Sequence, residues 1–412
     1  MFATPSPVSQ SDRSTRLLNT TRYDPLHRGA RARVHSNTPA REGATSPRAS
    51  WLVLRYPRWA RYQQGGGEYN SGHTDSEQKD PRPIGGASKV AMSTTRREPT
   101  PPAVLTVTLN PSVDRLVYVQ QLVQHDTNRI LRIEEDVGGK GVNVARVLRR
   151  LGVPVAATGF LAGRTGRYIQ RELTEMESVH CEFVWVPGET RTNLAIQEAD
   201  GSPPTALNER GPEVSPQALE ALLQVVEGYC GTVQFVALGG SLPPGVPTDI
   251  YATMGQMAAR RGSKVILDAD GEPLIQGLKA SPYLIKPNEN ETERLLGRTV
   301  DTLEDAAQAA RELHDRGIPI VIVSLGEKGA AVACEEGCWI AVPPRVRAVS
   351  TIGSGDSMVA GVLSVLVRQG TIEEAMCWGT AAGAATAMTD GCDIGTTQQI
   401  EALLPEVRCY RC

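Results

Sequence analysis

From Ala103 onward, short apolar or β-branched segments alternate with longer amphipathic ones, and this alternation limits the fold more than any other feature of the chain. The segments AVLTVTLN (103–110), FVALGG (235–240) and IPIVIVSLG (318–326) are typical of buried strands, and segments such as PQALEALLQVVEGY (216–229) are typical of helices. Parallel strands that are joined through helices need right-handed crossovers. We therefore predict an α/β fold with a mainly parallel sheet between two layers of helices.

Two regions near 115–136 and 190–208 break this rhythm, because their apolar and polar residues alternate one by one. Alternation with a period of two is typical of half-exposed strands. We predict that these strands form a small β-sheet lid over the C-terminal edge of the main sheet.

The first hundred residues differ from the rest of the chain in charge and composition. Residues 1–91 contain 14 Lys/Arg and 7 Asp/Glu, a net charge of +7, whereas the remaining residues contain 29 and 39, a net of −10. We expect 1–100 to be a disordered basic extension and 101–412 to be the folded domain. A natural start at Met92 explains the extension better than a targeting segment, or than binding to nucleic acid or another anionic surface.

No apolar run approaches the roughly 18 residues that would span a membrane, so we expect a soluble, cytoplasmic protein without a membrane partner. The eight cysteines are scattered from residue 181 to residue 412. Neither CEEGC (334–338) nor CYRC (409–412) has a nearby histidine, and the latter lies where we expect a frayed C-terminus. Unpaired thiols in a reducing compartment are therefore a better interpretation than a zinc site or a redox pair.

In open parallel sheets, ligands bind where the strands end, so polar residues at strand ends are candidates for chemistry. DVGGKGVNVAR (136–146) places Gly139, Lys140 and Asn143 at a helix start, where a backbone can approach an anion closely. A plain helix cap with a surface lysine explains the same pattern. The spacings of a Walker loop and of a dinucleotide-binding loop do not match.

Three further segments carry polar side chains near the same edge. Asp114 in LNPSVD is placed to accept hydrogen bonds from sugar hydroxyls, or it is a simple turn acid. Arg191 and Asn193 lie on a predicted lid strand, and arginine is the side chain best shaped to bind a phosphate with two hydrogen bonds. Ser241 lies in the turn GGSLPPG after a buried strand. A solvated strand face and a bare loop are the alternatives for the last two segments.

The segment IKPNENE (285–291) leads from a strand through Lys286 and Asn288 to Glu291 at a helix start. The oxygen atoms of an Asn and a Glu three residues apart can hold hydrated Mg²⁺, which retains several of its waters. An Asn cap with acids in the first turn is the alternative.

The segment VIVSLGEKGA (321–330) ends a strand in a turn that is rich in glycine. Ser324, Gly326 and Gly329 leave enough room for the backbone or the base of a nucleotide. A simple hairpin turn between two strands is the competing explanation.

The segment TIGSGDSMVAG (351–361) combines Gly353, Ser354 and Gly355 with a single acid, Asp356, before a helix of small residues. The exposed backbone N–H groups would form a concavity for an anion. A carboxylate competes with a phosphate there, unless it faces a substrate hydroxyl and removes its proton while the N–H groups stabilise the moving phosphoryl group. An Asp cap of a helix explains the segment alone equally well.

The order of these motifs and their placement at strand ends resemble the PfkB family of ribokinase-like sugar kinases. The motifs that carry the resemblance are NPSVD, GGKGVNVA, ETRTN, GGSLPPG, KPNENE, SLGEKG and GSGDSMVAG, between about residues 104 and 404. GGKGVNVARVLRRLG, GETRTNLAI, LNERGP and SLPPGVP are similar to the subgroup that acts on sugar phosphates, the 1-phosphofructokinases and tagatose-6-phosphate kinases. The resemblance implies a three-layer α/β/α sandwich with a small β lid that often pairs two subunits into a dimer.

The resemblance also implies what each motif does. Asp356 would be the general base, and Gly353, Ser354 and Gly355 would form the anion hole. The sugar would be held by Asp114, Gly139, Asn143 and Asn193, and its phosphate by Lys140, Arg191, Arg129 and Ser241. The ATP site would be lined by Lys286, Asn288, Ser324, Gly326 and Gly329, and Asn288 with Glu291 would hold Mg²⁺ through water.

Two segments depart from the pattern of the family. Ser354 stands where the family usually has alanine, and its backbone N–H is retained. LDADGE (267–272) differs from the form with threonine or serine that is usual in the subgroup, so the contacts to the nucleotide near it are less well defined.

The resulting expectation is an ATP-dependent kinase, with Mg²⁺ as its cofactor, that phosphorylates a ketohexose phosphate. Fructose 1-phosphate is the expected substrate, with its 6-hydroxyl as the acceptor, and tagatose 6-phosphate and fructose 6-phosphate are the alternatives within this class. A sugar-phosphate sensor without catalysis is the alternative of another class, which the presence of Asp356, Asn288 and Glu291 disfavours. We expect a homodimer formed through the lid.

Overall fold

The computed structural model describes residues 100–412. Residues 1–99 lie outside the described part, and with them lie the predictions of a disordered extension and of a start at Met92. The described residues form a large sheet and a small sheet, with ten α-helices around the large one.

The large sheet has a parallel part and an antiparallel edge. The parallel strands are β1 (Val104–Thr108), β4 (Val155–Leu161), β5 (His180–Cys181), β6 (Val184–Trp185), β9 (Phe235–Gly239), β10 (Lys264–Asp268), β11 (Leu284–Ile285) and β12 (Ile320–Ser324). The antiparallel edge consists of β13 (Ala330–Cys334), β14 (Gly337–Val342) and β15 (Arg408–Arg411).

The spatial order of the large sheet is β15-β14-β13-β12-β11-β10-β9-β1-β4-β5, and β6 also pairs with β4. The chain leaves β1 toward β4 on one side and later returns to β9 on the other side. The direction of winding therefore reverses between β1 and β9. In open parallel sheets such a reversal opens a crevice at the C-terminal ends of the strands, which is where ligands bind.

The two regions with alternating residues form the small sheet, as predicted. Its strands are β2 (Ser112–Val119), β3 (Ile130–Gly138), β7 (Arg191–Glu198) and β8 (Thr205–Asn208), in the order β3-β2-β7-β8. The central strands β2 and β7 are parallel, and their register places Asp114 opposite Asn193. The strand register therefore places two of the predicted site residues side by side.

Helices cover both faces of the large sheet, which confirms the three-layer α/β/α architecture. On one face lie α1 (Lys140–Arg150), α2 (Gly163–Arg171), α8 (Ser354–Leu366), α9 (Ile372–Ala387) and α10 (Thr397–Leu403). On the other lie α3 (Pro216–Tyr229), α4 (Ile250–Arg260), α5 (Gly271–Gly277), α6 (Glu289–Leu296) and α7 (Leu303–Asp315).

The residues of β1 show how the strands supply both cores. Val104 is buried among the apolar residues of the first helix layer, whereas Leu105 and Val107 are buried among those of the second. Successive side chains of a strand point to opposite faces, so a strand that is covered on both sides is apolar along most of its length. This is why the parallel strands appear in the sequence as continuous apolar runs.

Four elements differ from the sequence-based expectations. The strand predicted before Lys286 is only the two residues of β11, because Pro287 has no N–H with which to continue the ladder. The C-terminus was expected to be frayed and instead forms β15, which pairs with β14. The short helices α5 and α10 have too few residues to show a clear apolar period. No helix in residues 100–412 is long and apolar enough to cross a membrane.

Candidate active site

Polar residues from several strand ends, some of them predicted site residues, gather at the C-terminal edge of the large sheet, on both sides of the reversal between β1 and β9. Asn110 follows β1, Ser241 follows β9 and Lys286 follows β11. Asp268 is the last residue of β10, and Ser324 is the last residue of β12. Because parallel strands end at the same edge, five segments that are distant in sequence supply one crevice.

The start of α1 lies against the end of β1 because Gly139 has no side chain. Its φ of +114° is in the region that only glycine adopts without strain, and a Cβ there would lie 2.8 Å from Cγ2 of Thr108. Helix α1 begins directly after this contact. As a result, Lys140 and Asn143 in its first turn reach into the crevice.

The start of α8 places Asp356 in the same crevice. Gly353 caps the helix with a φ of +76°, and Asp356 in the first turn is only 9% exposed. Asn143 Nδ2 donates a hydrogen bond to Oδ2 of Asp356 at 2.8 Å. Burial raises the pKa of Asp356 to about 6 and outweighs the opposite effect of the nearby Lys140 ammonium. A carboxyl with a pKa near 6 is both ionised at neutral pH and basic enough to accept a proton.

Asp268 lies between two lysines at the centre of the site. Lys140 Nζ is 2.7 Å from Oδ1 of Asp268, and Lys286 Nζ is 3.7 Å from Oδ2. Burial raises the pKa of Asp268, but the two ammonium groups outweigh it and hold that pKa below its ordinary value. The pKa of Lys140 is raised, because the negative charges of Asp268 and Asp356 outweigh the effect of burial. The cluster is therefore a set of mutually stabilised charges.

Lys286 also faces the glycine-rich start of α8. A Cβ on Gly355 would lie 3.3 Å from Lys286 Nζ, so the ammonium group lies directly over this glycine. The first backbone N–H groups of a helix have no partner within the helix, and they carry the positive end of its dipole. The ammonium and the N–H groups together form a positive surface beside Asp356, as an anion hole requires.

The start of the small sheet forms the opposite wall of the crevice. Oδ1 of Asp114 accepts hydrogen bonds from Ser112 Oγ at 2.7 Å and from Asn193 Nδ2 at 2.8 Å. Arg191 Nε donates to the carbonyl oxygen of Asn110 at 3.1 Å, and burial lowers the pKa of Arg191. These contacts hold an acid, an amide and a cation at fixed positions.

The other end of the crevice is formed by the ends of β11 and β12. Asn288 caps α6 in a capping box with Glu291, and Ser324 N donates to the carbonyl oxygen of Pro287 at 3.1 Å. Asn288 thus has the cap geometry that was its alternative explanation, and it lies beside Ser324. Burial raises the pKa of Glu291, whose Oε2 accepts from Asn288 N at 2.9 Å. The capping box leaves Oε1 of Glu291 available.

The turn after β12 is a hairpin turn, which was the alternative explanation of this segment. It joins the antiparallel strands β12 and β13, and Gly326 and Gly329 adopt φ values of +57° and +122°. A Cβ on Gly329 would lie 2.3 Å from the carbonyl oxygen of Ala341 in β14, whereas one on Gly326 would meet nothing within 4 Å. Gly329 is therefore required for packing, and the space beside Gly326 is open.

A comparison with known sequences decides the family. The model of the pfkB family carbohydrate kinases matches residues 107–399, which is most of the chain. The protein belongs to the PfkB family. A relative from Bacillus subtilis (strain 168) named 1-phosphofructokinase is 35% identical over 308 residues, which is 75% of this chain and 99% of the relative.

Solved structures agree with this assignment. The crystal structure of phosphofructokinase-2 from Escherichia coli in complex with fructose-6-phosphate has a TM-score of 0.68 at 28% identity, and the match covers 74% of this chain and 99% of that one. Ribokinase from Arabidopsis thaliana, solved with ribose and ATP, has a TM-score of 0.62 at 24% identity over 74% of this chain and 98% of that one. The likeness to ribokinase shows the fold alone, and it confirms the ribokinase-like architecture.

Three predicted site residues of this PfkB protein have surroundings that do not match their predicted roles. Arg129 is exposed in the loop between β2 and β3, and in the described part of the chain it makes no hydrogen bond or ion pair. Ser241 is exposed and receives only a long hydrogen bond of 3.4 Å from Asn110. Lys140, predicted to bind the sugar's phosphate, lies in the crevice and forms an ion pair with Asp268. These three assignments are the least supported by the geometry.

The sequence analysis missed Asp268 and Asn110. Asp268 lies in LDADGE, a segment that was noted only for its difference from the subgroup, although its position at the end of a buried strand follows the same rule as the other site residues. Asn110 is almost fully buried, and its Nδ2 donates to the carbonyl oxygen of Arg210 at 3.0 Å. A search for polar residues at or within two residues of the end of each parallel strand would have found both.

Proposed function

We propose that this protein transfers the γ-phosphoryl group of ATP to the 6-hydroxyl of fructose 1-phosphate, which yields fructose 1,6-bisphosphate. The observation that carries the proposal is the buried Asp356 carboxylate at the start of α8, beside a glycine-rich helix N-terminus and the Lys286 ammonium. The similarity to a relative named 1-phosphofructokinase supports the choice of sugar phosphate.

Asp356 would act as the general base. Asn143 occupies Oδ2, so Oδ1 is the oxygen that accepts the proton of the sugar hydroxyl. The hydroxyl oxygen then forms a bond to the γ-phosphorus, the bond from that phosphorus to ADP breaks, and ADP leaves. General base catalysis contributes about 10²- to 10⁴-fold to a rate.

The start of α8 and Lys286 would stabilise the charge on the phosphoryl group as it moves. Charge that develops on the equatorial oxygens of a transferring phosphoryl group is stabilised by N–H groups and cations that are already in position. Lys140 is held by Asp268 between the sugar wall and the nucleotide end of the crevice. We therefore propose that Lys140 stabilises the negative charge of the phosphoryl group as this group moves from ATP to the sugar.

The small sheet would bind the sugar phosphate. Asp114 and Asn193 present an acid and an amide, which suit sugar hydroxyls, while Arg191 presents a half-buried guanidinium, which suits a phosphate. Gly139 completes this wall where α1 begins. A guanidinium in that position favours a substrate that already carries a phosphate over a free sugar.

The ATP site would be formed by Lys286, Asn288, Ser324, Gly326 and Gly329, and the donor set nearby fits Mg²⁺. No cluster of three or more His, Cys, Asp or Glu in residues 100–412 could hold a metal alone. Mg²⁺ is usually bound by one or two carboxylates together with substrate phosphates and waters. Glu291 Oε1, with Asn288 beside it, and the buried Oδ2 of Asp268, which accepts no hydrogen bond, are such oxygens. When bound, the ion would neutralise charge on the phosphates of ATP.

A homodimer and a cytoplasmic location are part of the proposal. The small sheet exposes large apolar side chains, namely Ile130, Leu131, Ile133 and Leu207, which a second copy of the sheet would cover. The cysteines are free thiols, as expected in a reducing compartment. Light scattering on the purified protein and on a Leu131→Glu variant tests the dimer. A native monomer, or a variant that dimerises as the native protein does, argues against this interface.

The test of the function is a parallel assay with ATP and Mg²⁺ on fructose 1-phosphate, tagatose 6-phosphate, fructose 6-phosphate and free fructose. We expect the highest kcat/KM with fructose 1-phosphate. Asp356→Asn should lower kcat by about 10²-fold or more. Asp249→Asn is the matched control, because Asp249 also lies at a helix start but is exposed and makes no side-chain cap bond. Turnover of Asp356→Asn at the native rate would contradict the base assignment.

A further inference from the structure

Four cysteine side chains meet in two pairs around the C-terminal strand β15. Cys412 directly follows β15 and lies opposite Cys338 of β14, since the antiparallel register places Trp339 opposite Arg411. Cys412 N donates to the carbonyl oxygen of Cys338 at 2.9 Å. Within the same strand, Cys409 forms a thiol hydrogen bond with Cys377 of α9.

The geometry of the first pair suits a covalent bond. The Sγ atoms of Cys338 and Cys412 are 2.7 Å apart. Residues opposite each other in a hydrogen-bonded antiparallel pair have Cα atoms about 5.5 Å apart. That separation lies within the range of about 4.4–6.8 Å that disulfides span. A disulfide between these residues therefore needs no rearrangement of the sheet.

The two thiols differ in access. Cys412 is exposed, whereas Cys338 is buried in the second core beside Ile340. Burial and the hydrogen bond with Cys412 raise the pKa of Cys338 to about 12. Arg311 of α7 donates a hydrogen bond from Nη2 to Cys412 Sγ at 3.4 Å and so holds the exposed sulfur in place. A reagent in solution therefore reacts first with the exposed Cys412, and the buried Cys338 is within reach of the product.

We propose that Cys338 and Cys412 form a redox modification site, at which a reversible intramolecular disulfide fastens β15 to β14. The oxidant would be a small-molecule disulfide such as oxidised glutathione. The sulfur of Cys412 loses its proton to solvent and attacks the reagent, whose S–S bond breaks to release one glutathione thiolate. Cys338 then loses its proton and attacks the mixed disulfide, which releases the second. Two protein thiols are oxidised by two electrons, and one disulfide is reduced to two thiols.

The bond would link residues that are 74 positions apart. Closing a loop of that length restricts the unfolded chain, so we expect the melting temperature to rise by about 5–10 °C. One of its two sulfurs lies at an exposed edge, so dithiothreitol should reverse the change. The proposal is independent of the kinase function, because neither cysteine lies in the crevice.

The test equilibrates the full chain in glutathione buffers of increasing oxidised fraction and then alkylates it after denaturation. The sequence contains eight cysteines, so the reduced chain should take up eight labels and the oxidised chain six. Peptide mass spectrometry should find Cys338 joined to Cys412. Cys412→Ser should take up seven labels under both conditions, whereas the control Cys181→Ser should fall from seven to five.

Three results would overturn the proposal. The first is eight labels in the native chain at every buffer composition. The second is a cross-link that maps to Cys377 and Cys409, and the third is one that joins two chains through Cys412. Cys338→Ala provides a second check from the buried side, since it must also abolish the loss of two labels.

Discussion

Asn143 donates a hydrogen bond from Nδ2 to Oδ2 of Asp356 at 2.8 Å. This bond joins the first turns of α1 and α8 through two residues that are 213 positions apart in the sequence. The bond stabilises the charged form of the carboxyl, so it lowers a pKa that burial raises. The glycine-rich starts of α1 and α8 therefore set the basicity of Asp356 together.

The first prediction concerns the pH dependence of the rate. Because Asp356 must be ionised to accept a proton, kcat/KM should fall below about pH 6, the pKa of this carboxyl in the free protein. In Asn143→Ala the bond that favours the carboxylate is lost, so the acidic limb should move to higher pH. Initial rates between pH 5 and pH 9 measure both profiles. An acidic limb at the same pH in both proteins would show that the bond does not tune Asp356.

The second prediction concerns stability at the same residue. The folded state raises the pKa of Asp356 from its ordinary value to about 6, so folding favours the protonated form. The stability that this group contributes is present at low pH and is lost as the pH rises through about 6. Asp356→Asn should therefore raise the melting temperature at pH 8 while turnover is lost. An unchanged or lower melting temperature at pH 8 would contradict the sign of this effect.

The third prediction concerns Asp268. Its pKa is lowered despite burial, so its contribution to stability is present above the ordinary pKa of an aspartate and is lost as the pH falls through its lowered value. Asp268→Asn leaves Lys140 and Lys286 without their counter-charge and should cost about 3 kcal/mol or more at pH 7. Asp270→Asn breaks an exposed ion pair with Arg294 and should cost about 1 kcal/mol or less.

Urea unfolding of both variants measures this difference. The contrast between a buried and an exposed aspartate two residues apart separates the effect of burial from that of the substitution itself. Equal losses in the two variants would show that Asp268 does not stabilise the lysine cluster.

The fourth prediction concerns recognition of the sugar's phosphate. Arg191→Ala removes the cation on the sugar wall, so KM for fructose 1-phosphate should rise steeply while KM for ATP stays nearly constant. Arg115→Ala is the matched control, because Arg115 lies on β2 of the same sheet and its cation pairs with Glu135 at the surface. Steady-state kinetics of the two variants give the comparison. An unchanged KM for the sugar phosphate in Arg191→Ala would favour an unphosphorylated substrate.

The parts of the fold that could be predicted are those where each segment carries its own signal. Continuous apolar runs identified parallel strands such as β1, β9 and β12, and one-by-one alternation identified the small sheet, but the two-residue strands β5 and β6 carried no such signal. Strand β15 was not predicted, because its residues are Arg, Cys, Tyr and Arg and show no apolar pattern. They form a strand only through pairing with β14. The strand order also could not be predicted, because it depends on contacts between distant segments.

The site was predictable to the extent that strand ends converge. That rule predicted that Asp356, Asn143 and Lys286 lie at one edge of the sheet, but it did not predict which side chains pair with one another. The pairing of Lys140 with Asp268 depends on the directions of two side chains, which neither motif specifies. Arg129 was assigned to the phosphate only through the family resemblance and within a predicted lid strand, whereas it lies in the loop between β2 and β3.

The last prediction tests why α1 begins where it does. Gly139→Ala places a Cβ 2.8 Å from Cγ2 of Thr108 at a φ of +114°, so both backbone strain and overpacking oppose it. Gly152→Ala is the matched control, since Gly152 has a φ of +79° and a Cβ there would meet nothing within 4 Å. We expect a cost of about 1 kcal/mol at Gly152, from backbone strain alone. At Gly139 the overpacking should add about 1–3 kcal/mol.

Gly139→Ala should also lower kcat, because a shift of α1 moves Asn143 away from Asp356. Urea unfolding and steady-state kinetics of the two variants measure both effects. If Gly139→Ala were as stable and as active as Gly152→Ala, the contact between α1 and the end of β1 would not position Asn143 against Asp356.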